Sequence, residues 1–293
     1  MSLKSNVKKS LTIVALAVFA VGGIISCSPK APEKPAKEVG LQLWSVRDSM
    51  QTDARATVKK VGAMGYSFIE AAGYGDGKFY GMEPAAFKAL VDSSGMTFLS
   101  SHTGQAVPDS ANWEKTMAWW DAAIAAHKAA GVSYIVQPFM DSVGYTTLAG
   151  VQRYCDYFNA VGEKCNAAGI RFGYHNHSGE FTQVEGQTIY DYMLKNTDPA
   201  KVMFEMDLYW ITEGGKNPVD YFNAYPGRFE LWHVKDKAEI GGKDTKMDFK
   251  PIFENAQKSG MKKFIVEVEE YNFSSIESVR QSLDFLMKAD YVK

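Results

Sequence analysis

Eight times between Val39 and the end of the chain, an apolar strand-like run gives way to an amphipathic helical segment, and no other feature constrains the fold as much. The runs are VGLQLWSV (39–46), SFIEAAG (67–73), MTFLSSH (96–102), SYIVQPF (133–139), IRFGYHNH (170–177), KVMFEMDLYW (201–210), RFELWHVK (228–235) and KKFIVEVEEY (262–271). Several helical segments end in a glycine just before the next strand, as in AMGYSF, SSGMTF, AAGVSY, AAGIRF and KSGMKKF. Such a position suits a left-handed backbone, which only glycine adopts cheaply. Alternation of this kind builds a parallel sheet, and eight units in about 250 residues match a closed (β/α)₈ barrel. A doubly wound open sheet is the competitor, but no GxGxxG follows the first strand. The expected fold class is therefore α/β, a (β/α)₈ TIM barrel over residues 39–293.

The residues before the barrel read as an export address. Lys4, Lys8 and Lys9 precede an apolar stretch from Leu11 to Ile25, and Ile24-Ile25-Ser26-Cys27 closes it. The stretch is short for a membrane span, and the arrangement resembles a bacterial lipoprotein signal with its lipobox. Residues 1–26 are the expected signal peptide, Cys27 the lipidation site, and residues 27–38 a flexible Pro/Lys/Glu tether. The resemblance implies a bacterial cell-envelope protein, lipid-anchored and facing the periplasm or the cell surface. Cys155 and Cys165 remain. They fall ten residues apart on one predicted helix, ~15 Å along its axis, too far for a disulfide, and read as buried small residues. Removing the three lysines takes the formal charge from −2 to −5, so there is no basic footprint for nucleic acid.

Metal-competent side chains close the last four strand-like runs: His175, Asp207, His233 and Glu267, separated by 32, 26 and 34 residues. In a parallel barrel they meet at one rim, where catalytic residues from several strand ends gather. Residues two apart share a strand face. On this reading His175 pairs with His177, Glu205 with Asp207 and Tyr209, His233 with Leu231 and Lys235, and Glu267 with Ile265 and Glu269. Unpaired carboxylates or imidazoles there would cost several kcal/mol, so the set must be mutually paired or metal-bound. Of the five histidines, His102, His175, His177 and His233 end strands, and only His127 sits in a helix.

The segments GYHNHSGEF, MDLYW, LWHVKD and IVEVEEY, with the opening GLQLWSVR, resemble the sugar phosphate isomerase/epimerase group of the xylose-isomerase-like TIM barrels. The resemblance covers the chain from Val39 onward. It implies one divalent cation, Mn²⁺ foremost and Mg²⁺, Co²⁺ or Zn²⁺ as alternatives, held by His175, Asp207, His233 and Glu267. Two departures stand out. Many relatives have a glutamate at the position of His175, and many have Asp-x-x-His where this chain has Trp210. The paired-glutamate proton shuttle of the epimerases is thus incomplete, which leaves His177 or Lys235 to supply the missing acid or base.

A cation bridging a carbonyl and a neighbouring hydroxyl favours enediolate formation. His177 or Glu267 is the candidate base, Lys235 the candidate partner of the developing oxyanion, and His175 and His177 could exchange roles. Reprotonation gives isomerisation or epimerisation, whereas loss of a β-substituent gives elimination, as in exported relatives that cleave 3-keto-glycosides. An exported protein without a phosphate-cradling GxxxxGK[ST] loop is expected to take an unphosphorylated carbohydrate. Gln42, Glu70, His102 and Gln137 are candidate hydroxyl partners, and Trp44, Phe139, Tyr209 and Trp210 candidate sugar platforms. Trp113, Trp119 and Trp120 cluster on one helix and read as core or as a homo-oligomer contact. A metal-dependent apurinic endonuclease would need more ligands and a basic face. A non-catalytic sugar-binding lipoprotein would have no need of four ligands at one point.

Overall fold

The computed structural model describes Ser2 and residues 37–293. Cys27 and, save for Ser2, the expected signal peptide and the tether as far as residue 36 lie outside the described residues. Eight parallel strands close into a barrel. They are β1 Gly40–Gln42, β2 Phe68–Ala71, β3 Thr97–His102, β4 Tyr134–Gln137, β5 Arg171–His175, β6 Val202–Asp207, β7 Leu231–Lys235 and β8 Lys263–Glu267. Each pairs with its successor, and β8 returns to β1 with Ile265 opposite Gly40. The principal helices between them are α1 Arg47–Met64, α2 Pro84–Ser93, α3 Trp113–Ala129, α4 Leu148–Ala167, α5 Ile189–Asn196, α6 Pro218–Ala224, α7 Phe249–Glu254 and α8 Ser275–Lys288. Among the described residues, no helix is long and apolar enough to cross a membrane.

The glycine punctuation does what its chemistry suggests. Gly65, Gly95, Gly131, Gly169 and Gly260, each between a helix and the next strand, adopt φ between 71° and 106°, a left-handed turn that other residues enter only under strain.

A large apolar layer fills the space between sheet and helices. A smaller one, Phe68, Leu99, Val136, Met203, Leu231 and Ile265, plugs the barrel interior. Two strand glycines make room for this plug. A Cβ on Gly40 would lie 2.1 Å from the Phe68 ring, and one on Gly173 2.4 Å from the end of Met203. Two residues beyond the plug the same faces carry Glu70, Glu205 and His233, so the interior turns polar toward the C-terminal rim.

Every strand is shorter than its apolar run, and at two of them a side chain marks the stop. After Gln42 the chain enters a 3₁₀ turn, Leu43–Val46, because the Gln42 side chain accepts a hydrogen bond from the Trp44 amide at 3.0 Å. After Asp207 it enters a short helix, Leu208–Glu213, capped by the Asp207 carboxylate. Tyr209 and Trp210 are therefore helical, and Tyr209 does not continue the strand face of Glu205 and Asp207. Strand β5 ends at His175, so His177 belongs to the following loop; its ring centroid nevertheless lies 5.0 Å from that of His175. Cys155 and Cys165 are free, buried thiols on α4. Trp120 is fully buried, and Trp113 and Trp119 are packed against the core; Trp119 also lines the cavity at the barrel mouth.

Candidate metal centre

Strands β5 to β8 deliver one side chain each to a common point. Ligand-capable atoms of His175, Asp207, His233 and Glu267, all buried, lie within 4.8 Å of one another. The strand registers explain the convergence: Asp207 sits opposite His233, and Glu267 opposite Lys235, two residues beyond His233. His233 Nδ1 is 3.2 Å from Glu267 Oε2, and His175 Nε2 is 4.0 Å from Asp207 Oδ2.

Asp207 divides its oxygens between two tasks. Oδ1 accepts from the Trp210 amide at 2.7 Å, while Oδ2 is buried with no hydrogen-bond partner among the described residues. A buried carboxylate oxygen without a hydrogen bond is costly; Lys235 Nζ, 3.9 Å away, offsets part of that cost, and a cation held beside it would offset more. Two imidazoles and two carboxylates form a donor set suited to a divalent ion, so the residues present fit one.

A second polar layer lies one strand step deeper. Glu205 Oε2 is 2.8 Å from His102 Nε2, 3.2 Å from His175 Nδ1 and 3.3 Å from His233 Nε2. Glu70 Oε1 is 2.7 Å from His233 Nε2 and 3.1 Å from His102 Nε2, and it accepts from Gln42 Nε2 at 2.8 Å. His102, His175, Glu205 and His233 form a second metal-competent group. Glu205 stood on the correct face in the sequence but was not singled out. Its importance depends on Glu70 and His102, which reach it only when the barrel closes.

Charge is distributed unevenly. Burial and then the Glu70 charge push Glu205 up to about 7 against the pull of His233 and His102. Burial also raises Asp207 to about 7, with Glu267 adding to it and Lys235 opposing. Burial alone would raise Glu267 as well, but Lys235 and then His233 outweigh it and hold the carboxylate well below its usual range. His102 and His233 do the same for Glu70. Burial works against protonation of His102, yet Glu70 and Glu205 lift it to about 9. His175 is driven well below its ordinary value by burial and by the neighbouring His233.

A cavity of about 630 Å³ opens over the cluster. His102, His175, His177, Glu267 and Glu269 line its polar side, and Trp44, Tyr74, Trp119 and Phe139 its aromatic side. Trp44 and Phe139 remain 44% and 41% exposed, open to a ligand. No hydrogen bond engages the His177 ring nitrogens among the described residues. The His177 amide donates to Glu180 Oε2 at 3.0 Å, and Glu180 is fixed by the Tyr145 and Tyr174 hydroxyls. That buried glutamate carried no periodic signal in the sequence.

Other expected site residues fall elsewhere. Gln42, Glu70 and Gln137 are fully buried and do not line the cavity. The Gln137 amide nitrogen donates to the Phe139 carbonyl at 2.9 Å. Lys235 is only 2% exposed; its Nζ bonds Glu269 and, at 3.1 Å, Glu267, and lies 4.6 Å from the Trp210 ring centroid. His127 is a satisfied core residue, with Nδ1 2.7 Å from the Ala123 carbonyl and Nε2 3.1 Å from the Thr103 hydroxyl.

This barrel and its matching sequence define the class: the chain belongs to the xylose isomerase-like TIM barrel family, whose model matches residues 58–289. It is similar to a sugar phosphate isomerase/epimerase from Parabacteroides distasonis ATCC 8503, at 36% identity and a TM-score of 0.82, over 88% of this chain and all of that one. An inosose dehydratase from Lacticaseibacillus casei is 29% identical over 128 residues, which cover 36% of this chain and only 42% of that relative. The IOLI protein, whose structure holds a zinc atom, shares the fold at 11% identity and a TM-score of 0.65, over 87% of this chain and 98% of that one.

Proposed function

We propose that this protein is a divalent-metal-dependent enzyme that enolises an unphosphorylated keto sugar or ketoglycoside and isomerises or epimerises it through an enediolate. One observation carries the reading: four ligand-capable side chains converge, among them Asp207 with an Oδ2 that no hydrogen bond engages among the described residues, beneath a cavity walled by aromatic rings. The sugar chemistry named for the relatives supports it, as does the zinc held by the IOLI protein. His175, Asp207, His233 and Glu267 would hold the ion, Mn²⁺ foremost, with Mg²⁺, Co²⁺ or Zn²⁺ as alternatives. When bound, such an ion polarises a ketone and stabilises the charge that develops on its oxygen.

The chain's own groups do the rest. His177 faces the cavity, its ring nitrogens without a hydrogen bond among the described residues, and burial lowers its affinity for a proton, so a neutral imidazole is available to take the proton from the carbon beside the ketone. Glu267, kept ionised by Lys235, is the alternative base. Lys235 is engaged by Glu267 and Glu269, which suits a counter-ion better than an acid facing substrate. Trp44, Trp119 and Phe139 would stack on a pyranose face and shield the proton transfer from water.

A second reading, a 3-keto-glycoside lyase that expels the aglycone from the same enediolate, is favoured by a neighbouring cavity of about 340 Å³. That cavity shares Trp44 and Ala72 with the first and provides room for a second moiety. Incubating metal-loaded protein with a panel of ketoses and 3-keto-glycosides and identifying products by NMR separates the readings. A new ketose, aldose or epimer supports the first, and a released aglycone the second. Saturable binding with no product would leave a sugar-binding protein. We further propose that the mature protein is held at the cell envelope by a lipid on Cys27.

A further inference from the structure

The two metal-competent groups share His175 and His233, and each histidine turns a different nitrogen to each group. His233 directs Nδ1 toward Glu267, at 3.2 Å, and Nε2 toward Glu70, at 2.7 Å. His175 directs Nε2 toward Asp207, at 4.0 Å, and Nδ1 toward Glu205, at 3.2 Å. A neutral imidazole offers one nitrogen to a cation and keeps its proton on the other. One cation therefore cannot take both groups, and two cations would require both histidines to lose their second proton.

We propose that Glu70 and Glu205 are positioning residues: they accept the N–H of His233 Nε2 and of His175 Nδ1 and so fix which nitrogen, and which ring orientation, each histidine presents to a cation held with Asp207 and Glu267. The inference rests on the metal reading above. Partnering within the deeper layer supports it. Glu205 Oε2 already faces three imidazole nitrogens within 3.3 Å, which leaves it little capacity for an ion. Glu70 is itself held by Gln42 Nε2 and the Ser100 hydroxyl, and Gln42 is fixed in turn by the Trp44 amide. His102 Nε2 lies between both carboxylates, at 2.8 and 3.1 Å, and supplies a shared donor. In the upper group Asp207 Oδ2 has no hydrogen-bond partner among the described residues, with Lys235 Nζ and His175 Nε2 at 3.9 and 4.0 Å. Hydrogen bonds from metal-bound histidines to carboxylates set tautomer and orientation, and their loss weakens metal affinity by roughly 10- to 100-fold. Glu205 Oε1, without a hydrogen-bond partner among the described residues, is the carboxylate atom left to a deeper cation.

The test uses Zn²⁺, which is diamagnetic, and the full protein labelled with ¹⁵N at histidine. In the wild-type Zn²⁺ form, NMR should find the His233 proton on Nε2 and the His175 proton on Nδ1, with one Zn²⁺ per chain. Glu205→Gln and Glu70→Gln should each weaken Zn²⁺ binding by about 10- to 100-fold in competition with a chelating dye. Reversed tautomers, or wild-type affinity in both variants, overturn the proposal. So do two Zn²⁺ per wild-type chain with one lost in Glu205→Gln, which would make the deeper group a cation site. The tautomer measurement needs no variant to fold. A wild-type protein that binds neither Zn²⁺ nor Mn²⁺ would overturn the metal reading itself, whereas the preceding failures leave that reading intact.

Discussion

Because Asp207 caps a helix with one oxygen and, among the described residues, makes no hydrogen bond with the other, a single atom can be changed without removing the cap. Asp207→Asn keeps an oxygen for the Trp210 amide and replaces the ligand oxygen with an NH₂. It should lose the cation while melting close to wild type, as metal analysis and thermal denaturation would show; wild-type metal content would take Asp207 out of the site. His233→Ala should lose the cation as well. His177→Asn should retain it and slow exchange of the substrate C–H by roughly 10² to 10⁴, the usual cost of deleting a general base. Metal retained in His175→Ala but lost in His177→Asn would reverse the two roles. His127 gives a stability prediction outside the site. Burial lowers its pKa from 6.5 to about 4, so between those values the unfolded chain binds more protons than the folded one. The contribution is fully present above pH 6.5 and is lost as pH falls toward 4, by on the order of 3 kcal/mol. Urea unfolding of wild type and His127→Asn at pH 7.5 and 5 should show a steeper loss for wild type. Equal slopes would contradict it.

The strands were legible where backbone pattern alone decides, and not where a side chain ends them. Five glycines before strands and eight apolar runs sufficed to read the barrel, since left-handed turns and parallel-strand burial leave plain marks. The stops at Gln42 and Asp207 depend on a side chain capturing a backbone amide two or three residues on, a competition that hydrophobic period does not record. The same limit hid the barrel plug. Gly40 and Gly173 look like ordinary strand residues until Phe68 and Met203 are packed against them. Gly40→Ala should destabilise the protein by roughly 1–3 kcal/mol through overpacking against a rigid ring. Gly173→Ala should cost less, because the thioether of Met203 can move aside. Chemical denaturation of both variants checks the order, and a larger loss in Gly173→Ala would contradict it.

At the scale of the molecule, the site exists because the barrel closes. His175, Asp207, His233 and Glu267 could be read together because adjacent strands at regular spacing carry them. Glu70 reaches His233 from 163 residues away, and Glu205 becomes the centre of the deeper layer only once that approach is made. Local pattern contains no record of such a contact. The export segment belongs to this scale too. Cys27→Ser should leave the chain unacylated and release it from membranes, and unchanged mass and membrane association would end the lipid-anchor proposal. The central claim, a cation at these four residues that makes a keto sugar's C–H labile, is tested most directly by deuterium exchange from D₂O into a ketose or 3-keto-glycoside. NMR would follow the exchange beside metal analysis of the same sample. The account predicts one divalent cation per chain, with exchange that stops on chelation and resumes when Mn²⁺ is restored. Exchange that persists in metal-free protein, or is absent across the panel from fully loaded protein, would contradict it.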